Sequence, residues 1–169
     1  MDTKSKTCCF TGHRDLPHSE SNEIKNRLRN EIRRLAQRGV VYYGVGGALG
    51  FDTIAALTVL EMKAELTQLR LILVLPHPGQ SDMWNEYDRK VYDDILHRAD
   101  KTVYMSKQYD DGCMSRRNRW LVDNSSVCIC YVNRPSGGAA ATAAYAIESG
   151  LEVINLTGIR QGSTSKFTF

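Results

Sequence analysis

Short apolar runs alternate with amphipathic helical stretches from end to end of the chain, and no two strand-like runs are joined by a hairpin-length link. Thr7 to Thr11, Val40 to Tyr43, Leu69 to Leu75, Lys101 to Met105, Ser126 to Val132 and Glu152 to Leu156 read as six strands. Five helices lie between them. Ser19 is placed to cap the first, in which Ile24, Leu28, Ile32 and Leu35 recur at helical spacing and which Gly39 closes. The second runs from about Phe51 to Glu65. Trp84, Tyr87, Val91 and Ile95 mark the apolar stripe of the third, Ser115 to Asp123 forms the fourth, and an alanine-rich stretch from Gly138 to Ser149 forms the fifth. Antiparallel neighbours need only a tight turn, whereas parallel strands need a crossover of a dozen or more residues. The alternation therefore specifies the α/β class: a single Rossmann-like, doubly wound, mainly parallel sheet with helices on both faces. The uninterrupted apolar run Leu71 to Leu75 agrees, because such a strand must be covered on both sides.

With 169 residues, this pattern fills one domain over residues 1–158 and leaves a polar tail at residues 159–169. Hydrophobic residues make up 42% of the chain, enough for a real core and too many for a disordered chain. The 22 basic and 19 acidic side chains leave a net charge of +3, well short of the field of a dedicated nucleic-acid binder, so nucleic acid is not the expected partner. No apolar run approaches the ~18 residues of a membrane helix, and Met1 to Lys6 lacks the apolar stretch of a signal peptide. A soluble cytoplasmic protein with no membrane partner is expected. Of the five cysteines, Cys8, Cys9, Cys128 and Cys130 sit in strands as small apolar residues, and no zinc-type spacing is present, so no metal is expected. Cys113, in a polar stretch, is expected near solvent.

Parallel sheets of this kind bind ligands beyond the carboxyl ends of their strands. After the first strand comes Thr11-Gly12-His13-Arg14, three donor side chains around one close-turning glycine, in place of a dinucleotide-binding G-x-G-x-x-G. After the second, Gly44, Gly46, Gly47 and Gly50 open a helix, the composition of an anion-cradling turn. Asp52 in that helix either complements its dipole or accepts from a ribose hydroxyl or a base. Gln80 and Trp84, after the third strand, offer an amide and a stacking surface, although Trp84 also fits its helix's apolar stripe. The run Arg116-Arg117-Asn118-Arg119 cannot turn all three guanidinium groups to one side, so one or two point into the cleft. After the fifth strand, Gly137 and Gly138 open a second glycine-led helix, with Thr142 one turn further on.

TGHR, GGALGFD, PHPGQ with Trp84, MSRRNRWLVD and SGGAAATAAYA occur in this order across nearly the whole chain. Together they resemble the YpsA-like family of the SLOG superfamily, which also contains the DprA DNA-processing proteins and the LOG phosphoribohydrolases. The resemblance implies a Rossmann-like fold holding a nucleotide or nucleotide-derived ligand. Its site residues would be Thr11, Gly12, His13, Arg14, Gly46, Gly47, Gly50, Asp52, Gln80, Trp84, Arg117, Asn118, Gly137, Gly138 and Thr142. LOG enzymes combine the arginine of a M-x-x-R-K run with the glutamate of P-G-G-x-G-T-x-x-E. Arg117 matches the arginine, and Gly137 and Gly138 match the glycine pair. The glutamate position falls on Ala144 or Tyr145, and Glu148 lies a further turn on.

Three functions are compatible with this reading. The first is a sensor or regulatory module for a small phosphorylated nucleoside-type ligand, ADP-ribose-like among others. The second is a hydrolase of an N-glycosidic or phosphate bond, with His13, Asp52 or Glu61 replacing the missing carboxylate. The third, by analogy with DprA, is single-stranded DNA binding, against which the modest charge argues. Pairing of two copies through their helices is compatible with each.

Overall fold

In the computed structural model, which describes residues 2–157, six strands form one sheet whose neighbouring strands are all parallel. The strands are β1 (Thr7–Gly12), β2 (Tyr42–Val45), β3 (Arg70–Leu75), β4 (Lys101–Tyr104), β5 (Val127–Tyr131) and β6 (Glu152–Asn155), in the order β4-β3-β2-β1-β5-β6. The helices are α1 (Ser21–Gln37), α2 (Phe51–Met62), α3 (Glu86–Arg98), α4 (Cys113–Asp123) and α5 (Gly138–Glu148). The polar tail inferred for residues 159–169 lies outside the described residues.

The strand order explains the two layers. From β1 to β4 the chain steps steadily in one direction, then β5 returns to the other side of β1. Right-handed crossovers put a helix on one face when the chain steps one way and on the opposite face when it steps back. Accordingly α1, α2 and α3 pack with Phe10, Tyr43, Leu71, Leu73 and Ile129 in one core, while α4 and α5 cover Cys9, Val74, Cys128, Cys130 and Val132 in the other. The alanines of α5 let that helix lie close to β5 and β6. Two helices cannot span six strands, so on their face Tyr42, Ile72 and Trp120 are only half-buried.

Local chemistry sets the element ends. In α1, Ile24, Leu28, Ile32 and Leu35 are buried, and its outer face carries ion pairs such as Lys25–Glu61 at 2.9 Å and Arg38–Glu152 at 2.8 Å. Such exposed pairs contribute about 0–1 kcal/mol each. The cap expected at Ser19 is not made: Ser19 lies in a single 3-10 turn, His18–Glu20, and α1 begins at Ser21 without a side-chain cap. Helix α2 is buried around most of its circumference because it lies between the sheet and both α1 and α3. Helix α3 differs from its expected stripe. Asn85 accepts from the Asp88 N–H at 2.8 Å and starts the helix after Trp84. That rotation buries Tyr92 and Ile95 and leaves Tyr87 76% exposed. Cys113 is likewise not near solvent: it is the first residue of α4 and fully buried. Among the described residues no helix is long and apolar enough to cross a membrane.

Gly50, which precedes α2, has φ +77° and abuts the Arg14 backbone so closely that a Cβ would overlap the Arg14 carbonyl. Gly138 has nothing within 4 Å of where its Cβ would sit. Gly50→Ala is expected to cost at least about 2 kcal/mol through strain and displaced backbone. Gly138→Ala should be neutral or stabilising by up to about 1 kcal/mol. Urea denaturation of both variants checks the contrast.

Candidate functional site

All six strand carboxyl ends meet one edge of the sheet, and the loops leaving β1 to β5 form the candidate site. The order of strands reverses between β1 and β5, and a hydrogen-bonded latch closes the gap there. His13 follows β1; its N–H donates to the Tyr131 carbonyl at 3.2 Å, and its own carbonyl accepts from the Phe51 N–H at 3.1 Å. Its Nε2 accepts from the Asn133 N–H at 3.1 Å. An accepting Nε2 requires a neutral ring protonated at Nδ1. Burial, assisted by the Arg134 charge, pulls the His13 pKa below its ordinary 6.5 and so favours that form. His13 thus ties three loops together, and its accepting nitrogen is already committed to that task.

The glycine-rich turn between β2 and α2 is closely packed. Gly50 lies on the Arg14 backbone, and Phe51, whose N–H bonds His13, presses its ring against Gly12. The start of α2 is therefore closed by the β1 loop, and the free anion cradle expected over Gly46, Gly47 and Gly50 is not open there. These glycines serve close approach instead. A Cβ on Gly46 would stand 2.6 Å from Arg117 Nη1, and one on Gly47 2.5 Å from the Leu75 side chain.

Two opposite charges are buried beside this turn. Arg117, 5% exposed, donates from Nη1 to the Gly46 carbonyl and from Nε to Asn118 Oδ1 at 2.7 Å, and Nη2 lies 3.8 Å from the Met114 sulfur. Asp52, 6% exposed, accepts from the Ala48 N–H at 3.2 Å. Burial raises the Asp52 pKa to about 6, against the opposing pull of Arg117, the Ala48 N–H and Arg14. Burial also lowers the Arg117 pKa, and Asp52 counters it. With Asp52 ionised, the trio Arg14, Arg117 and Asp52 carries one net positive charge. Arg14 is exposed at the rim, and no described residue hydrogen-bonds its guanidinium.

The remaining expected residues separate into two groups. Gly137 and Gly138 open α5 without a side-chain cap, both exposed and with open space where a Cβ would sit. Thr142 spends its hydroxyl on the Gly138 carbonyl at 2.8 Å, and Thr11 is buried at the end of β1. Arg134 pairs with Asp15 at 2.9 Å. Arg116 pairs with Asp110, and Arg119 stacks over the Tyr145 ring, so Arg117 alone of the three arginines enters the cleft. Against Gly47, Gln80 is buried with neither amide atom hydrogen-bonded, and Tyr92, whose ring also borders Gly47, is buried with its hydroxyl unpartnered. Leaving such groups unmade costs about 1–3 kcal/mol each. Trp84 meets Tyr92 edge-to-face at 5.2 Å.

Tyr92 and the Asn133 backbone belong to the site but escaped sequence reasoning. The stripe at 84, 87, 91 and 95 put Tyr92 on the wrong face, and a backbone donor leaves no sequence mark. Glu61 stands outside the cleft, paired with Lys25 and Arg29 of α1. At the missing-glutamate position, Tyr145 bonds Asp123 and Glu148 is exposed, whereas Asp52 is a buried carboxylate beside the glycine turn. Among the described residues no cluster of three or more His, Cys, Asp or Glu side chains could hold a metal.

Residues 8–152 match the YspA SLOG family (YpsA). A UPF0398 protein of Brevibacillus brevis is 27% identical over 118 residues, covering 69% of this chain and 63% of that protein. The chain thus spans under two thirds of that relative. Among solved structures, DNA processing protein A (DprA) from Streptococcus pneumoniae superposes with a TM-score of 0.64 at 17% identity, over 89% of this chain and 50% of that one. DNA processing protein A from Helicobacter pylori, described with a single-stranded DNA binding mode, gives 0.62 at 20% identity, over 89% and 65%. At these identities the likeness is one of fold.

The folded protein holds the Asp52 proton more tightly than the unfolded chain, whose pKa is 3.8. The associated stability is complete below pH 3.8 and lost as pH rises through about 6, roughly 3 kcal/mol in all. His13 has the opposite sign: its contribution is complete above pH 6.5 and lost as pH falls through its lowered folded value. Asp52→Asn removes only the first. The stability of this variant relative to the parent should therefore rise by about 2–3 kcal/mol between pH 4 and pH 7.5, measured by urea denaturation. A pH-independent difference would contradict the burial of an ionisable Asp52.

Proposed function

The chain belongs to the YspA SLOG family, and on that footing we propose that it binds a phosphorylated nucleotide or nucleotide-derived ligand along its strand carboxyl ends, as a sensor or regulatory module. The observation that carries this reading is the open, uncapped start of α5 at the reversal of strand order, together with the net positive trio of Arg14, Arg117 and Asp52. Free N–H groups and the helix dipole favour an anion there. Arg14 offers a second anchor from the rim, and its planar fork suits a phosphate. From the end of β5 to the end of β3 is three strand spacings, about 14 Å, the length of an extended nucleotide. An ADP-ribose-like molecule would follow the same track. The nucleic-acid alternative, suggested by the Helicobacter pylori protein, has less support from a chain of net charge +3.

Asp52 supports a second reading. A buried carboxylate with a pKa of about 6 beside an arginine is suited to proton transfer near neutral pH, which fits a hydrolase of a nucleotide's N-glycosidic or phosphate bond. Chromatography of a nucleotide panel after long incubation separates the two readings: intact ligand favours the sensor, whereas product that disappears with Asp52→Asn favours the hydrolase.

The binding reading is tested by thermal melting with AMP, ATP, NAD and ADP-ribose. At a hundredfold excess over the dissociation constant a bound ligand stabilises by about 2.7 kcal/mol. Arg14→Ala should weaken binding about tenfold or more while leaving the melting temperature of the free protein within a few degrees. No shift with any of the four removes the proposal.

A further inference from the structure

Among the described residues, three buried side-chain nitrogen or oxygen atoms lack a hydrogen-bond partner: Gln80 Nε2, Gln80 Oε1 and the Tyr92 hydroxyl. They lie together. A Cβ on Gly47 would stand 3.4 Å from both Gln80 Oε1 and the Tyr92 ring. Gln80 is 9% exposed and Tyr92 7% exposed, so water does not compensate either in bulk fashion. Native proteins rarely leave one such group unpaired, and a cluster of three at a cleft calls for an occupant.

We propose that Gln80 and Tyr92, which border Gly47, read the nucleobase of the ligand. This rests on the nucleotide-binding reading above and assigns its base end. The two neighbouring glycines divide the ends: Gly46 packs on the Arg117 guanidinium and Gly47 on the Gln80 amide.

The chemistry of the orphaned atoms selects the class of ligand. Oε1 needs a donor and Nε2 needs an acceptor. A phosphate or carboxylate offers acceptors only and would leave Oε1 unmet; a hydrocarbon meets neither. A nucleobase edge presents donor and acceptor side by side, and a glutamine amide pairs in bidentate fashion with such an edge, as with N6 and N7 of adenine. Burial pushes the Tyr92 pKa up to about 12, so its hydroxyl keeps its proton and is available to a base oxygen or nitrogen. The three atoms are closed to solvent in this structure, and the loop over them is the element that must yield. Within it the bonds are those of turns, from Gln80 N–H to the His77 carbonyl at 3.3 Å, Asp82 N–H to Gly79 at 3.1 Å and Trp84 N–H to Ser81 at 3.0 Å, and its start is tied to the loop after β4 by the Ser106 N–H on the Pro76 carbonyl at 3.0 Å.

Isothermal titration of the full chain with AMP, GMP, CMP, UMP, ADP-ribose and ribose 5-phosphate tests the assignment. At least one base-bearing ligand should bind tenfold or more tighter than ribose 5-phosphate. Gln80→Leu should shrink that advantage to threefold or less without changing the affinity for ribose 5-phosphate, and Tyr92→Phe, a minimal change, should reduce it severalfold. Both variants should melt at or above the temperature of the free parent protein, since each removes an unpaired buried group. A buried water as sole occupant predicts the reverse: lower melting and unaltered nucleotide binding. An advantage that survives both substitutions, or equal binding of ribose 5-phosphate and every nucleotide, overturns the base assignment and leaves the phosphate reading standing. If none of the six binds, both readings fail.

Discussion

Every feature of the site depends on the parallel, right-handed winding of the sheet. Because all six strands run the same way, the loops after β1 to β5 leave from one edge, and residues distant in sequence meet there. His13, Asn133 and Phe51 come from three different crossovers yet are joined within one hydrogen-bonded latch. The reversal of strand order falls beside β1, where the latch joins the adjoining loops and the start of α5 stays exposed and without a side-chain cap. An antiparallel sheet of the same composition would distribute these groups over both ends.

The two glycine-led helix starts illustrate how similar composition produces different surfaces. At α2 the glycines admit neighbours: Arg14 backbone, Phe51 ring, Arg117 guanidinium and Leu75. At α5 the two glycines meet nothing within 4 Å. Gly137 adopts φ +98°, which turns the chain into the helix without any side-chain cap, and the first N–H groups remain free. The closed turn confers rigidity and burial on Asp52 and Arg117, while the open one offers donors. Charge follows the same division. Burial holds one carboxylate and one guanidinium in balance below the surface, and an exposed arginine adds the excess positive charge at the rim.

Much of the architecture was legible because periodicity and link length depend on local chemistry. The six strands and five helices fall where apolar alternation and glycine punctuation put them, within a few residues at their ends. The misplacements share a cause. Trp84 and Tyr87 fit a helical stripe, but a side-chain cap at Asn85 rotated that stripe, so Tyr92 went inward. Cys113, set in a mostly polar stretch, was covered by packing that no local window contains. Ser19 has the composition of a cap, yet the preceding Pro17 leads into a 3-10 turn that takes its place.

The sequence by itself determined the α/β winding and hence which loops carry the site, since a strand–helix alternation without hairpins has few right-handed solutions. It also marked Arg117, Asp52, Gln80 and the glycine pairs by residue type and position. Only the tertiary structure decided what each could still do. It consumed the accepting nitrogen of His13 and the hydroxyl of Thr142 in internal hydrogen bonds, sent Glu61 to the surface of α1, and left the Gln80 amide buried without a partner. Hydrogen-bonding capacity is used up by neighbours in space, and those neighbours are set by long-range packing.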